Sequence, residues 1–196
     1  MVKKHNAEIQ ILIFLLNHKK EKYTIRAIAK DVSIDYKTAY YTLKDLMAKG
    51  VVLAERVGQS HLCSLNLKAL STDIFVAEAH RRAKLLEKKM FNVIYRDLQQ
   101  ISDQFFILLL FGSQASDKAH KKSDIDFILI ADNDDIKKKI QEKLALTPLN
   151  IHFLAFTPQE FLSMLKTTDF NVGKESFYNN IILFGIEDYY RLLQHA

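Results

Sequence analysis

Two apolar runs, FFILLLF at 105–111 and IDFILI at 125–130, lie on either side of the polar segment GSQASDKAHKKSD. Short apolar runs bounded by turn-forming residues read as buried strands, so this stretch dictates a sheet with a tight exit at one end of each strand. The first strand is expected over 104–111, ending at Gly112-Ser113, and the second over 124–131. Alternation along the second puts Asp124 and Asp126 on one face, and Ile125 and Phe127 on the other. Carboxylates roughly 7 Å apart on one strand face repel each other, and burying them ionised is costly without a counter-charge. A divalent cation supplies that charge, and hard oxygen donors select Mg2+, with Mn2+ as the alternative. Gly112 lets a ligand approach the backbone with no side chain in the way. A helix starting at Ser113 would point free amides and its positive dipole end at an anion, which suits a triphosphate bridged by the same cation.

The chain has 196 residues, 48% of them hydrophobic, enough for one large domain or two small ones. Cys63 is the sole cysteine, which excludes an intramolecular disulfide and permits a reducing compartment. The longest apolar run, 105–111, is far below the roughly 20 residues that span a bilayer, so no membrane partner is expected. Lys3 and Lys4 ahead of the apolar stretch 11–16 imitate a signal peptide, but Glu8 interrupts and no small-residue cleavage site follows. The segment reads as a helix of the mature protein, and a cytoplasmic location is expected. Charge is unevenly placed: residues 1–70 hold 12 Lys and Arg against 6 Asp and Glu, whereas 71–196 hold 16 against 17. A basic module for a polyanion, joined to a near-neutral one, fits this balance.

Within the basic third, residues 8–17 carry Ile9, Leu12, Ile13, Leu15 and Leu16 at mixed spacing, as a mostly buried helix would. Thr24 is placed to cap a second helix with Ile25, Ile28 and Ala29 inward, and Asp35 to cap a third with Ala39, Leu43 and Leu46 inward. Gly50 stops the third helix. VVLAERVGQSHLCSLNL then reads as two strands around a turn at Gly58 and Gln59. Three helices and a hairpin over 5–68 resemble the winged helix-turn-helix family. That resemblance implies a recognition helix starting at Asp35 and lying in the DNA major groove. Tyr36, Lys37, Thr38, Tyr40, Tyr41 and Lys44 would meet the DNA, with Arg56, Gln59, Ser60 and His61 at the wing tip. The same fold also serves as a protein adaptor.

Residues 72–102 contain no Pro or Gly and carry regularly spaced apolar residues from Ile74 to Ile101, indicating one long helix or two in sequence. Arg81, Arg82, Lys84, Lys88 and Lys89 form its polar side. A homodimer seam along it would supply the two-fold symmetry that DNA readers favour. The expected architecture is therefore α+β in two domains: a winged helix at 1–70, a long connecting helix at 71–103, and a mixed sheet flanked by helices at 104–196.

The second domain has its own resemblance. Gly112-Ser113, ten residues, then Asp124-Ile125-Asp126 resembles the nucleotidyltransferase superfamily typified by DNA polymerase beta, and in particular its minimal nucleotidyltransferases, over 90–190. The resemblance implies that Ser113 contacts terminal phosphates and that Asp124 and Asp126 bind two metal ions. It also implies a third carboxylate on a neighbouring strand, and here the sequence departs. The strand LNIHFLAF offers Asn150 and His152 on one face and no acid, and neither group is a good Mg2+ ligand. Glu160, in the first turn of a helix after Pro158, and Glu175, in an expected loop after Gly173, are the other candidates. Between the motifs, Ser116 and Asp117 stand where the family often has a small basic-glycine turn, and Lys118, Lys121 and Lys122 flank it.

Three functions follow. The first is a DNA-binding transcriptional regulator whose second domain binds NTP and Mg2+. The second is an active nucleotidyltransferase that moves a nucleoside monophosphate onto a protein or RNA hydroxyl, as implied by the resemblance to minimal nucleotidyltransferases of toxin-antitoxin systems, some of which modify a partner protein. The third is an interaction adaptor without catalysis.

Overall fold

The computed structural model describes residues 2–101, 105–116 and 124–196. It resolves into two compact units, 1–80 and 81–196.

In the first unit, α1 (Val2–Asn17) buries Ile11, Leu12, Leu15 and Leu16 almost completely, as the mixed apolar spacing predicts. A two-residue strand, β1 (Tyr23–Thr24), leads directly into α2 (Ile25–Asp31), whose first turn is capped by the Thr24 hydroxyl accepting from the Ala27 amide at 3.2 Å. Asp35 caps α3 (Tyr36–Ala48) by accepting from the Thr38 amide at 2.9 Å. At its other end Gly50, at φ +71°, takes the left-handed position. The amides of Gly50 and Val51 donate back to the carbonyls of Met47 and Leu46, closing the helix as a Schellman turn. The hairpin β2 (Val52–Val57) and β3 (Ser60–Leu65) turns at Gly58-Gln59, with Val57 opposite Ser60. The sheet order is β1-β3-β2, so β1 adds a third strand that the sequence reading lacks. Two residues are too few for an alternation to register.

The stretch after the hairpin is two helices in sequence, α4 (Thr72–Leu86) and α5 (Lys89–Gln99). The N-cap of α5 is Lys88, which makes no side-chain cap bond, so no capping residue marks this break in the sequence. In the second unit follow β4 (Ile107–Phe111), β5 (Ile125–Ile130), α6 (Asp134–Ala145), β6 (Ile151–Phe156), α7 (Pro158–Lys166), α8 (Val172–Tyr178), β7 (Asn180–Phe184) and α9 (Ile186–Leu193). The sheet runs β6-β5-β4-β7, with β5 and β6 parallel and the other pairs antiparallel. Phe91, Ile94 and Leu98 of α5 and Ile136, Ile140 and Leu144 of α6 join Leu108, Leu110, Phe127 and Leu129 in one apolar core. The alternate strand residues Leu109, Ile128 and Ile182 are also fully buried. Phe111 and Asp126 follow them at the end of that face. Residues 104 and 117–123, which include the expected start of the first strand, Asp117, Lys118, Lys121, Lys122 and Ser123, lie outside the described residues. Among the described residues no helix is long and apolar enough to cross a membrane.

Candidate functional site

β4 and β5 are antiparallel with Phe111 opposite Asp126, which brings the exit of one strand to the entry of the other. Gly112 follows at φ +70°, and a Cβ built there would lie 2.5 Å from Asp126 Oδ2. The position is glycine for two reasons: the backbone is left-handed, and the Asp126 carboxylate occupies the space of a side chain. In place of an α-helix at Ser113, Gly112–Gln114 is a single 3-10 turn. The dipole argument for that turn therefore fails, because three residues align too few peptide units to build a macrodipole. What remains is the close approach of Asp126 to Gly112, with the Ser113 amide and hydroxyl beside it.

The parallel register of β5 and β6 sets His152 beside Asp126, and the Asn150 carbonyl accepts from the Ile125 amide at 3.0 Å. Asn150 donates its side-chain amide to Asp124. The His152 ring spans the pair, with Nδ1 3.2 Å from Asp126 Oδ1 and Nε2 3.7 Å from Asp124 Oδ2. Both aspartates therefore turn to one side, as alternation requires, and the imidazole stands where a third acid was sought. The His152 side chain is 60% exposed and that of Asp126 23%, so the cluster opens to solvent.

The other candidate acids lie on α7 and α8. Glu160 is the third residue of α7 and closes a capping box, accepting from the Thr157 amide at 2.8 Å while Thr157 Oγ1 accepts from its own amide. The Thr157 amide and hydroxyl hold the Glu160 carboxyl below the usual range. Lys174 and Glu175 sit in the first turn of α8, not in a loop. Helix forms there because Asn171 accepts from the Lys174 amide at 3.0 Å and because Gly173 lets α8 approach α7, where a Cβ would meet Met164 at 2.7 Å. Lys174 donates to the Thr167 carbonyl.

Among the described residues no three His, Cys, Asp or Glu side chains form a ready metal cage. The carboxylate pair nevertheless fits one hard cation whose remaining positions are filled by phosphate oxygens and water, the usual manner of Mg2+ binding. A pair of ions held by three acids does not fit these donors. A groove of about 430 Å3 opens at the far end of β4 and β5, beside Ile107, Ile130 and Asn133, and none of the predicted site residues lines it.

In the first unit, Tyr36, Lys37, Tyr40, Tyr41 and Lys44 are exposed on α3. Tyr36 and Tyr40 stack with centroids 6.3 Å apart, and Tyr41 meets Tyr40 edge-on at 5.5 Å. Thr38 turns its hydroxyl to the Asp35 carboxylate at 2.6 Å. Arg56, near the wing tip, donates to the Gly58 carbonyl at 3.2 Å.

One contact the sequence reading missed reaches the glycine turn: Asn179, between α8 and β7, donates its side-chain amide to the Gly112 carbonyl at 2.9 Å. Only the adjacent pair Asn179-Asn180 ahead of an apolar run hints at it.

Two stretches of the chain match known families. Residues 5–68 match the family of the sugar-specific transcriptional regulator TrmB, and residues 96–188 match the polymerase beta nucleotidyltransferase family. No curated protein and no solved structure matches the chain significantly. The chain joins a TrmB-type winged-helix domain to a nucleotidyltransferase domain.

Proposed function

We propose that this protein is a DNA-binding transcriptional regulator whose nucleotidyltransferase domain binds a nucleoside triphosphate together with Mg2+. The observation that carries the reading is the closure of Asp126 on Gly112, with a built Cβ 2.5 Å from the carboxylate oxygen. It sets a side-chain-free turn against a pair of acids, which is what a cation-bridged triphosphate needs. Bound by Asp124 and Asp126, Mg2+ would offset the charge of the acids and of the phosphates. The chain supplies the rest. Gly112 leaves room for the Asp126 carboxylate to close on the turn, Ser113 would donate to the terminal phosphate oxygens, and Asn150 and His152 contact the aspartates from β6.

Among the described residues no third carboxylate stands beside the pair to promote attack by an acceptor hydroxyl, which favours binding without efficient transfer. An active transferase acting on a protein or RNA hydroxyl is the second reading, favoured by the intact carboxylate pair. On the DNA side, the reading is supported by the exposed tyrosines and lysines of α3, with Arg56 on the wing, in the basic third of the chain. Lys37, Lys44 and Arg56 would contact phosphates, and Tyr36, Thr38, Tyr40 and Tyr41 would contact sugars and base edges.

Labelled nucleoside triphosphates, incubated with Mg2+ or Mn2+ and with candidate acceptors, distinguish the readings when wild type is compared with Asp126→Asn. Saturable binding that the variant loses, with no label transferred, is the expected result. Transfer that the variant loses would replace the regulator by the transferase, and absence of binding in the wild type would reduce the domain to an adaptor.

A further inference from the structure

We infer that Asn179 is a positioning residue for the phosphate-binding turn, acting through the Gly112 carbonyl; the inference rests on the nucleotide reading above. That carbonyl accepts from three donors: Asn179 Nδ2 at 2.9 Å, the Ala115 amide at 3.2 Å and Ser116 Oγ at 3.3 Å. The last two belong to the turn and move with it. Asn179 comes from 67 residues further along the chain and ties the turn to the body of the domain.

The peptide joining Gly112 to Ser113 is planar and trans, so its C=O and N–H point in opposite directions. Fixing the Gly112 oxygen therefore fixes the Ser113 N–H, the backbone donor nearest the proposed phosphate. Glycine is the residue least able to hold that plane by itself, because its φ and ψ are nearly unrestricted.

Asn179 is itself well held. Its amide donates to the Glu175 carbonyl at 2.9 Å, finishing α8. Its neighbour Asn180 is fully buried and sits opposite Phe111 in the β4–β7 ladder. The Asn180 side chain donates to the Tyr189 hydroxyl at 3.1 Å, and its carbonyl accepts from Arg81 at 2.7 Å. The donor thus directly precedes β7, which is paired to the strand that delivers the turn.

The test uses the full-length chain with Asn179→Ala and the near-isosteric Asn179→Leu, neither of which can donate. Two quantities are measured: the Kd for ATP with Mg2+, and hydrogen exchange at the amides of 113–115 without nucleotide. Loss of one oriented donor should weaken ATP about tenfold. Exchange should accelerate at 113–115 while β4, β5 and the thermal midpoint stay as in wild type. A purely structural role would instead lower the midpoint and speed exchange across the sheet, and that result, or unchanged exchange at 113–115, overturns the inference. If the wild type binds no ATP, the nucleotide reading falls, while the exchange measurement still decides the role of Asn179.

Discussion

At Gly112 an added methyl would collide with the Asp126 carboxylate and force an L-residue to φ +70°. Left-handed backbone costs such a residue about 1–2 kcal/mol, so Gly112→Ala should lower the unfolding free energy by about that amount in urea titration. It should also abolish nucleotide binding, because the methyl pushes the Asp126 carboxylate away from the turn. Cys63 is a different kind of buried group. It lies in β3 with no exposure, and burial pushes its thiol from 9.0 up to about 11. A folded-state pKa raised above the unfolded one gives stability that is complete below pH 9 and is lost as pH rises towards 11. Native protein at pH 8 should therefore resist a thiol reagent that labels the urea-unfolded chain, and its thermal midpoint should fall between those two pH values more than that of Cys63→Ala. Rapid labelling of the native chain would contradict this burial.

The recognition helix depends on its first turn. Asp35 accepts from both the hydroxyl and the amide of Thr38, and these bonds, the hydroxyl first, hold its carboxyl below the ordinary aspartate value. A depressed folded-state pKa gives stability present above that value and lost as pH falls through the folded one. Asp35→Ala should accordingly lower the thermal midpoint at pH 7, and the gap to wild type should close as acid protonates Asp35. Such caps were legible in the sequence because Thr24 and Asp35 are good N-cap types directly ahead of apolar stripes. The carboxylate face was legible for a similar reason: strand alternation fixes Asp124 and Asp126 without knowledge of the neighbours. Other elements were not. β1 is too short to show a period and exists because β3 offers it a free edge. The break before α5 has no Pro, Gly or capping bond to announce it. The contact of Asn179 with Gly112 is set by the pairing of β7 with β4, which the local sequence does not encode.

For the whole molecule, the basic excess of the N-terminal third should govern DNA affinity. If Lys37, Lys44 and Arg56 each neutralise one phosphate, the logarithm of the binding constant should fall with log salt at a slope of about −3. Lys37→Ala should then reduce that slope by about one without changing sequence preference. An affinity insensitive to ionic strength would exclude these phosphate contacts. The two family matches, to a transcriptional-regulator family at 5–68 and a nucleotidyltransferase family at 96–188, fall on separate stretches of chain. In the second of these, a carboxylate pair beside a glycine turn is proposed to take a cation-bridged triphosphate. Titration of full-length protein with Mn2+ and ATP, followed by the loss of the free Mn2+ electron paramagnetic resonance signal, tests it most directly. Saturable ATP-dependent uptake of Mn2+ by the wild type, absent in Asp126→Asn, is predicted; equal uptake by both proteins, or none by either, would contradict it.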